Sequence, residues 1–292
     1  MALNIFLLLF VVITWAYSWV LMKIGLQFME PFTFATLRCA IGTLGILPLL
    51  YMKRISMPKG EKWFDYLVIG LFQTTGMFGF MLYGMKFVTA GKAAVLLYTM
   101  SLWTSLLAHF YLKEKLSALR WLGIISGIIG VLCILGWDTL VNQNAKILFG
   151  EFLIIMGAVS WAIANIWDKK RMMNEDTYMV NGLQMLIGTV GLALIAFPTE
   201  GLGHVRWTWV SISILIFTGI VASSIDFTLW FYLLRKLDTF TVAFSVMLVP
   251  VFGLFLDWLQ LGSKLDTGII IGGGFILIGI YLETKHQKSK LK

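Results

Sequence analysis

Polar and aromatic residues recur at helical spacing inside stretches that are otherwise apolar. Tyr98, Ser101 and Ser105 follow an i, i+3, i+7 pattern, as do Ser223, Asp226 and Trp230. Trp161, Asn165 and Asp168 are spaced i, i+4, i+7, and Gln73, Thr74 and Thr75 are consecutive. On a helix each spaced set shares one face. Together with Trp15, such faces can line a cavity for a small amphipathic solute. They can also bind helix to helix with no ligand, each bond adding roughly 0.6–2 kcal/mol. The expected substrate-binding set is Trp15, Gln73, Thr74, Tyr98, Ser101, Trp161, Asn165, Ser223, Asp226 and Trp230.

Among the charges, Asp226 lies deepest within its apolar run. A carboxylate inside a bilayer costs about 2.5–3.5 kcal/mol on insertion scales, so it is read by default as functional. One role is to carry a proton between the two sides; the plain alternative is to tie helices together. Arg38 also falls inside a run. It is read as snorkelling to the headgroups or forming a structural pair, with a carboxylate anchor as the alternative. Glu114 is read as a surface ion-pair or gate residue, and His109 as interfacial.

Catalytic constellations do not emerge. Cys39 and Cys133 form no CxxC pair, and the three histidines are scattered, which gives no metal-ligand spacing. Gly272, Gly273 and Gly274 lack the strand before and the Lys-Ser/Thr after that a phosphate loop needs. No cofactor, no metal and no enzymatic activity is therefore expected.

The elements that must hold these residues are membrane spans. Of 292 residues, 59% are hydrophobic and 13% charged, against about 25% charge in soluble domains. A spanning helix takes about 20 apolar residues. Runs of that kind cover 3–22, 32–52, 64–85, 90–111, 119–137, 148–167, 179–198, 209–233, 239–261 and 267–284. The first is read as an uncleaved helix, since no basic stretch precedes it. Ten helices and no alternating strand pattern predict an all-α membrane protein. Trp63, Trp121, Trp137, Trp207 and Trp209 fall near run ends and suit interfacial belts, whereas Trp15, Trp19, Trp161 and Trp230 lie deeper.

Alternate loops differ in charge. Sixteen Lys and Arg fall on the side that holds the C-terminal tail and six on the other, with Arg38 inside a run. The richer side is cytoplasmic, which places both termini inside at the cytoplasmic (inner) membrane. The net charge of +8 is spread over separate loops, so no nucleic-acid partner is expected. The expected partners are a small-molecule substrate, the lipid bilayer and, through Asp226, protons.

The halves repeat. At an offset of 146, Trp15 pairs with Trp161, Lys23 with Lys169, Gly42 with Gly188 and Gly45 with Gly191. At 149, Thr74 and Thr75 pair with Ser223 and Ser224, Tyr83 with Tyr232, Gly123 with Gly272, and Gly130 with Gly279. Residues 1–140 and 147–285 are read as two five-helix repeats, followed by a basic tail over 286–292. Five is odd, so the second repeat is inverted in the membrane, the architecture of alternating-access carriers. Gly123, Gly127 and Gly130 are read as a small packing face, and Pro250 as a kink in helix 9 whose repeat partner is Ser101.

In this order and spacing the residues resemble the EamA-type drug/metabolite transporters. The first half carries Trp15, Ser18, Lys23, Pro31 and Arg38, then Leu82-Tyr83-Gly84, Ala93-Ala94, Leu112-Lys113-Glu114-Lys115, Trp121-Leu122-Gly123 and Gly130. The second carries residues 157–162, then Pro250, Leu261-Gly262-Ser263, Gly272 and Gly279. Ser263 stands where the family usually repeats the acidic residue matched by Glu114. The resemblance implies a secondary transporter, often an exporter of amino acids or similar metabolites. Its cavity would lie between helices 1, 3, 4, 6, 8 and 9. Another solute class, such as a drug, nucleobase or sugar, and a non-transporting scaffold or sensor are the alternatives.

Overall fold

A computed structural model describes residues 2–53, 57–113, 117–137, 144–201, 203–229, 233, 248–265 and 267–290. Those residues are helical with short connections. In chain order the helices are α1 (Ala2–Gly25), α2 (Pro31–Met52), α3 (Lys62–Gly84), α4 (Ala90–Tyr111) and α5 (Ala118–Trp137). They continue with α6 (Ala145–Arg171), α7 (Thr177–Thr199), α8 (Trp209–Leu229), α9 (Leu248–Leu261) and α10 (Thr267–Lys290). Seven of them, α1 to α4 and α6 to α8, are long and apolar enough to cross a membrane. The apolar stretches of α5, α9 and α10 are shorter in the described residues. Lipid offers no hydrogen bonds, so a helix, which satisfies its own backbone, is the structure that these runs must adopt.

Helix starts carry local caps. Thr89 accepts from the Lys92 amide, Asp176 from Tyr178 and Met179, and Thr208 with Ser211 forms a capping box at α8. Each satisfies a donor that the first turn leaves open. Helix α2 starts on Pro31, which suits a first turn, and has no cap of its own. Glu200 at the end of α7 supplies one, accepting from the amides of Phe32 (3.1 Å) and Thr33 (2.7 Å).

Two helices depart from α geometry. Residues Gly70–Gly76 of α3 and Phe217–Ile225 of α8 form π turns. Hydroxyls reach back five residues there: Ser223 donates to the Thr218 carbonyl (2.8 Å) and Thr75 to that of Gly70 (3.5 Å). Helix α4 is interrupted at Thr99. The residues before Pro250 that a kink would involve lie outside the described residues; Pro250 itself is buried in α9.

Packing is set by glycine. Helices α5 and α10 cross at Gly130 and Gly272, where a Cβ on Gly272 would lie 2.5 Å from the Gly130 carbonyl oxygen. A Cβ on Gly279 would lie 2.5 Å from the Gly123 carbonyl oxygen. Helices α2 and α7 pack against each other and each takes one π segment: α2 that of α8, and α7 that of α3. Gly45 lies under the Ser224 hydroxyl, which donates to the Gly42 carbonyl (2.6 Å). Gly191 lies under Thr75, which donates to Gly188 (3.3 Å). Further pairs are α3 with α6, α1 with α8, α1 with α9, and α4 with α6. The main core joins α1, α3, α4 and α6 through residues such as Trp19, Met81, Leu96 and Ile154.

A side chain at the α5–α10 crossing must push two backbones apart, at a cost of about 1–3 kcal/mol for overpacking. Gly272→Leu is expected to lower the melting temperature of the purified protein. Gly274→Leu, whose Cβ meets nothing within 4 Å, is expected to leave it unchanged. Equal losses in the two variants would contradict the close crossing.

Candidate functional site

A cavity of about 60 Å³ lies where α1, α2, α3, α4, α6 and α8 converge. Helix α1 contributes Trp15, Ser18, Trp19 and Met22, and α2 contributes Arg38. Phe78 and Met81 come from α3 just past its π turn, Tyr98 from α4 just before the break at Thr99, and Trp161 from α6. Ala222 and Phe227 close the α8 side. Established ligand sites hold about 300–1,000 Å³. At this size the cavity is smaller than such sites.

The cavity wall depends on bonds between helices. Trp15 Nε1 donates to the Ala222 carbonyl (3.0 Å), and its ring packs on Phe227 with centroids 5.4 Å apart. That fixes the indole against the π turn of α8. Arg38 is 3% exposed. Its Nη2 donates to the Thr218 carbonyl (3.2 Å) and to Ser223 Oγ (3.0 Å), and its Nη1 to Met22 Sδ (2.8 Å). The guanidinium carbon stands 4.3 Å from the Phe78 ring centroid, a cation–π contact. The expected snorkelling does not occur, because the stem of Arg38 points inward across the α2–α8 contact rather than towards the helix end. The pairing half of that expectation fits, but the partners are neutral.

Asp226 is fully buried one turn beyond Ser223. Thr14 of α1 donates to its Oδ2 (2.7 Å), and Oδ1 has no hydrogen-bond partner among the described residues. It lies behind the cavity wall rather than in it.

Of the other expected site residues, Trp15, Tyr98 and Trp161 line the cavity, while Ser223 supports Arg38 from behind. Thr74 is buried with its side chain against Gly188 of α7. Gln73 is half-buried. Ser101 bonds its own helix at the Tyr98 carbonyl (3.2 Å), and Asn165 faces Thr104 (3.5 Å) and Met100 (3.7 Å) of α4. Trp230 and Glu114 lie outside the described residues. Among the lining residues outside the sequence-based set is Arg38. Its position inside an apolar run was a visible signal, but spacing alone did not say which way it points.

The end of the bundle that carries the α1–α2 turn holds buried charge. Lys92 of α4 pairs with Glu151 of α6 at 3.2 Å, their side chains 6% and 0% exposed. Asp257 of α9, also buried, accepts from the Gly91 amide (2.8 Å) and from Ser263 (2.9 Å). Lys23 of α1 donates to the carbonyls of Met85 and Val88 in the α3–α4 turn. Charges removed from water persist only when paired or hydrogen-bonded, so these groups lock α1, α4, α6 and α9 together. The α1–α2 end also carries an open pair, Lys86 with Glu30 at 2.6 Å, and the opposite end carries two more. Arg171 meets Asp65 (3.3 Å) with its side chain 53% exposed, and Lys62 meets Glu175 (3.1 Å) at 42%.

Among the described residues no group of His, Cys, Asp and Glu could hold a metal ion. The sequence pattern of the EamA-like transporter family matches residues 2–136 and 148–284. The chain is 33% identical to an uncharacterized transporter, YoaV, of Bacillus subtilis, over 94% of each chain. It is 30% identical to a probable amino-acid metabolite efflux pump of Salmonella typhimurium, over 95% of this chain and 93% of that one. The corresponding protein of Escherichia coli is 28% identical over 94% and 93%. One solved crystal structure superposes with a TM-score of 0.69 at 18% identity, covering 98% of both chains.

Proposed function

Because the chain belongs to the EamA-like transporter family, we infer that it is a secondary carrier exporting a small amphipathic metabolite, an amino acid or a close relative, by alternating access. The observation that carries this reading is the central cavity. It is walled by large aromatics, holds one buried cation, and has a buried ion pair at one end of the bundle. The relatives named as amino-acid metabolite efflux pumps support the solute class.

The carrier is built as ten spanning helices in two inverted repeats, residues 1–140 and 147–285. The pairings described for the fold support this. Exchanging α1–α5 with α6–α10 turns the α3–α6 contact into α8–α1, α1–α9 into α6–α4, and α2–α8 into α7–α3. The two π turns end 149 residues apart, at Gly76 and Ile225, and Thr75 and Ser224 stand at the same offset, each clasping the glycine pair of the facing helix. Matched halves can exchange conformations and open a shared site to each side in turn.

Both termini face the cytoplasm of the inner membrane, on the basis of the sixteen-to-six division of basic residues. The α1–α2 end is then the outer one. A cysteine at Asn142, with Cys39 and Cys133 replaced, is expected to react with an impermeant thiol reagent in intact cells. Reaction only after lysis would reverse the orientation.

Overexpression is expected to raise resistance to at least one toxic amino-acid analogue, and Trp161→Ala at the cavity wall to reduce that resistance at equal protein level. Transport limited to nucleotide-sugars or lipids in proteoliposomes would rule the amino-acid class out.

Asp226 is the residue through which protons couple to transport. It is buried between α1 and α8, where Thr14 donates to it. Asp226→Asn keeps shape and hydrogen bonding but cannot titrate. In proteoliposomes carrying the reconstituted protein, pH-driven amino-acid accumulation is expected to vanish while exchange at equal pH persists. An unaltered pH response would remove the coupling role, and a protein that no longer folds would mark the residue as structural.

A further inference from the structure

We propose that Arg38 is the anchor for a carboxylate on the transported solute. The inference rests on the carrier function proposed above and names the group by which the site recognises its cargo.

Among the described residues, the buried Lys92, Asp257 and Asp65 have opposite charges or backbone donors beside them, and the buried Asp226 accepts from the Thr14 hydroxyl. Lys92 has Glu151, and Asp257 has the Gly91 amide. Asp65 accepts from both Trp167 and Arg171. Arg38 differs. Among the described residues no carboxylate lies within ion-pair distance, and its contacts are a thioether, a carbonyl, a hydroxyl and an aromatic face. A thioether sulfur is a weak acceptor. The nearest acidic residue along α8, Asp226, is engaged by Thr14 instead. Nε of Arg38 has no hydrogen-bond partner among the described residues, although the side chain is nearly completely buried.

A guanidinium presents its donors in a planar fork that matches a carboxylate. Here Ser223, Thr218 and Phe78 hold that fork in place at the cavity wall. The position is polarised. In the register that relates the halves, Arg38 corresponds to Gln184, whose Nε2 donates to Asn181 Oδ1 (2.9 Å) away from the cavity. The site thus has one cationic pole and an aromatic remainder formed by Trp15, Tyr98 and Trp161. A charge kept in a bilayer with only neutral partners is costly. A cargo carboxylate supplies the missing anion, and the aromatic walls take the rest of the molecule.

The test uses the purified full chain and reads the concentration that half-saturates thermal stabilisation. The probes are L-leucine, L-methionine and L-phenylalanine, each beside its amide, with hexanoate and benzoate as carboxylates lacking an amine. The wild type is expected to favour an acid over its amide by about tenfold or more, the scale of a charge-assisted bond. Arg38→Gln is expected to erase that preference, and Arg38→Lys to keep part of it. Acid and amide binding alike to the wild type, a preference that survives in Arg38→Gln, or no stabilisation by any carboxylate would each overturn the anchor. Should Arg38→Gln not fold, the wild-type comparison and Arg38→Lys decide. Hexanoate or benzoate binding through Arg38 while amino acids do not would keep the anchor and remove the amino-acid reading. Amino acids binding without regard to the carboxylate would do the reverse.

Discussion

Inside a bilayer a backbone carbonyl has only protein donors to turn to, and the π turns of α3 and α8 are where donors from other helices meet it. Trp15 reaches the Ala222 carbonyl from α1, Arg38 reaches Thr218 from α2, and Ser160 reaches Phe72 (2.6 Å) from α6. Each donor therefore has a backbone reason to be where it is. Two of the three, Trp15 and Arg38, also face the cavity. Moving either π turn would move the wall. Such turns are often found at functional sites, and here the link is mechanical: the irregular backbone fixes the side chains that form the cavity.

Small residues let the rest of the bundle close around those turns. Gly45 and Gly191 allow α2 and α7 to approach the hydroxyls of Ser224 and Thr75. Gly130 and Gly272 bring α5 and α10 into backbone contact away from the cavity, since neither helix lines it. Without a hydrophobic drive between helices in lipid, this close packing and the interhelical hydrogen bonds carry the association. A division of labour results: α5 and α10 pair with each other, and the helices that bear the π turns carry the site.

Charge is distributed by the same logic. At the α1–α2 end, the buried Lys92–Glu151 pair and the hydrogen bonds of Asp257 and Lys23 tie α1, α4, α6 and α9, and at the opposite end the buried Asp65 carboxylate of α3 meets the half-exposed Arg171 of α6. An ion pair accessible to water is worth little, about 0–1 kcal/mol. A buried one resists separation, because each partner left alone is an uncompensated charge.

Much of this was legible in the chain itself. Run lengths placed the helices because only about 20 apolar residues cross a bilayer; α4 spans Ala90–Tyr111 as its run indicated. The pairing of Thr74 and Thr75 with Ser223 and Ser224, and of Gly42 and Gly45 with Gly188 and Gly191, could be read from the offsets. The burial of Asp226 followed from its depth in an apolar run. Spacing could not supply rotation. An i, i+3, i+7 face says that residues share a side of a helix, not whether that side meets a cavity or another helix. Thr74 turned towards Gly188 and Asn165 towards Thr104, whereas Arg38 turned inward. The π turns were also hidden, since they shift the angular phase of every residue after them and no residue type announces them. Only the packed bundle sets which faces meet, because helix rotation in lipid is decided by the neighbours a helix finds.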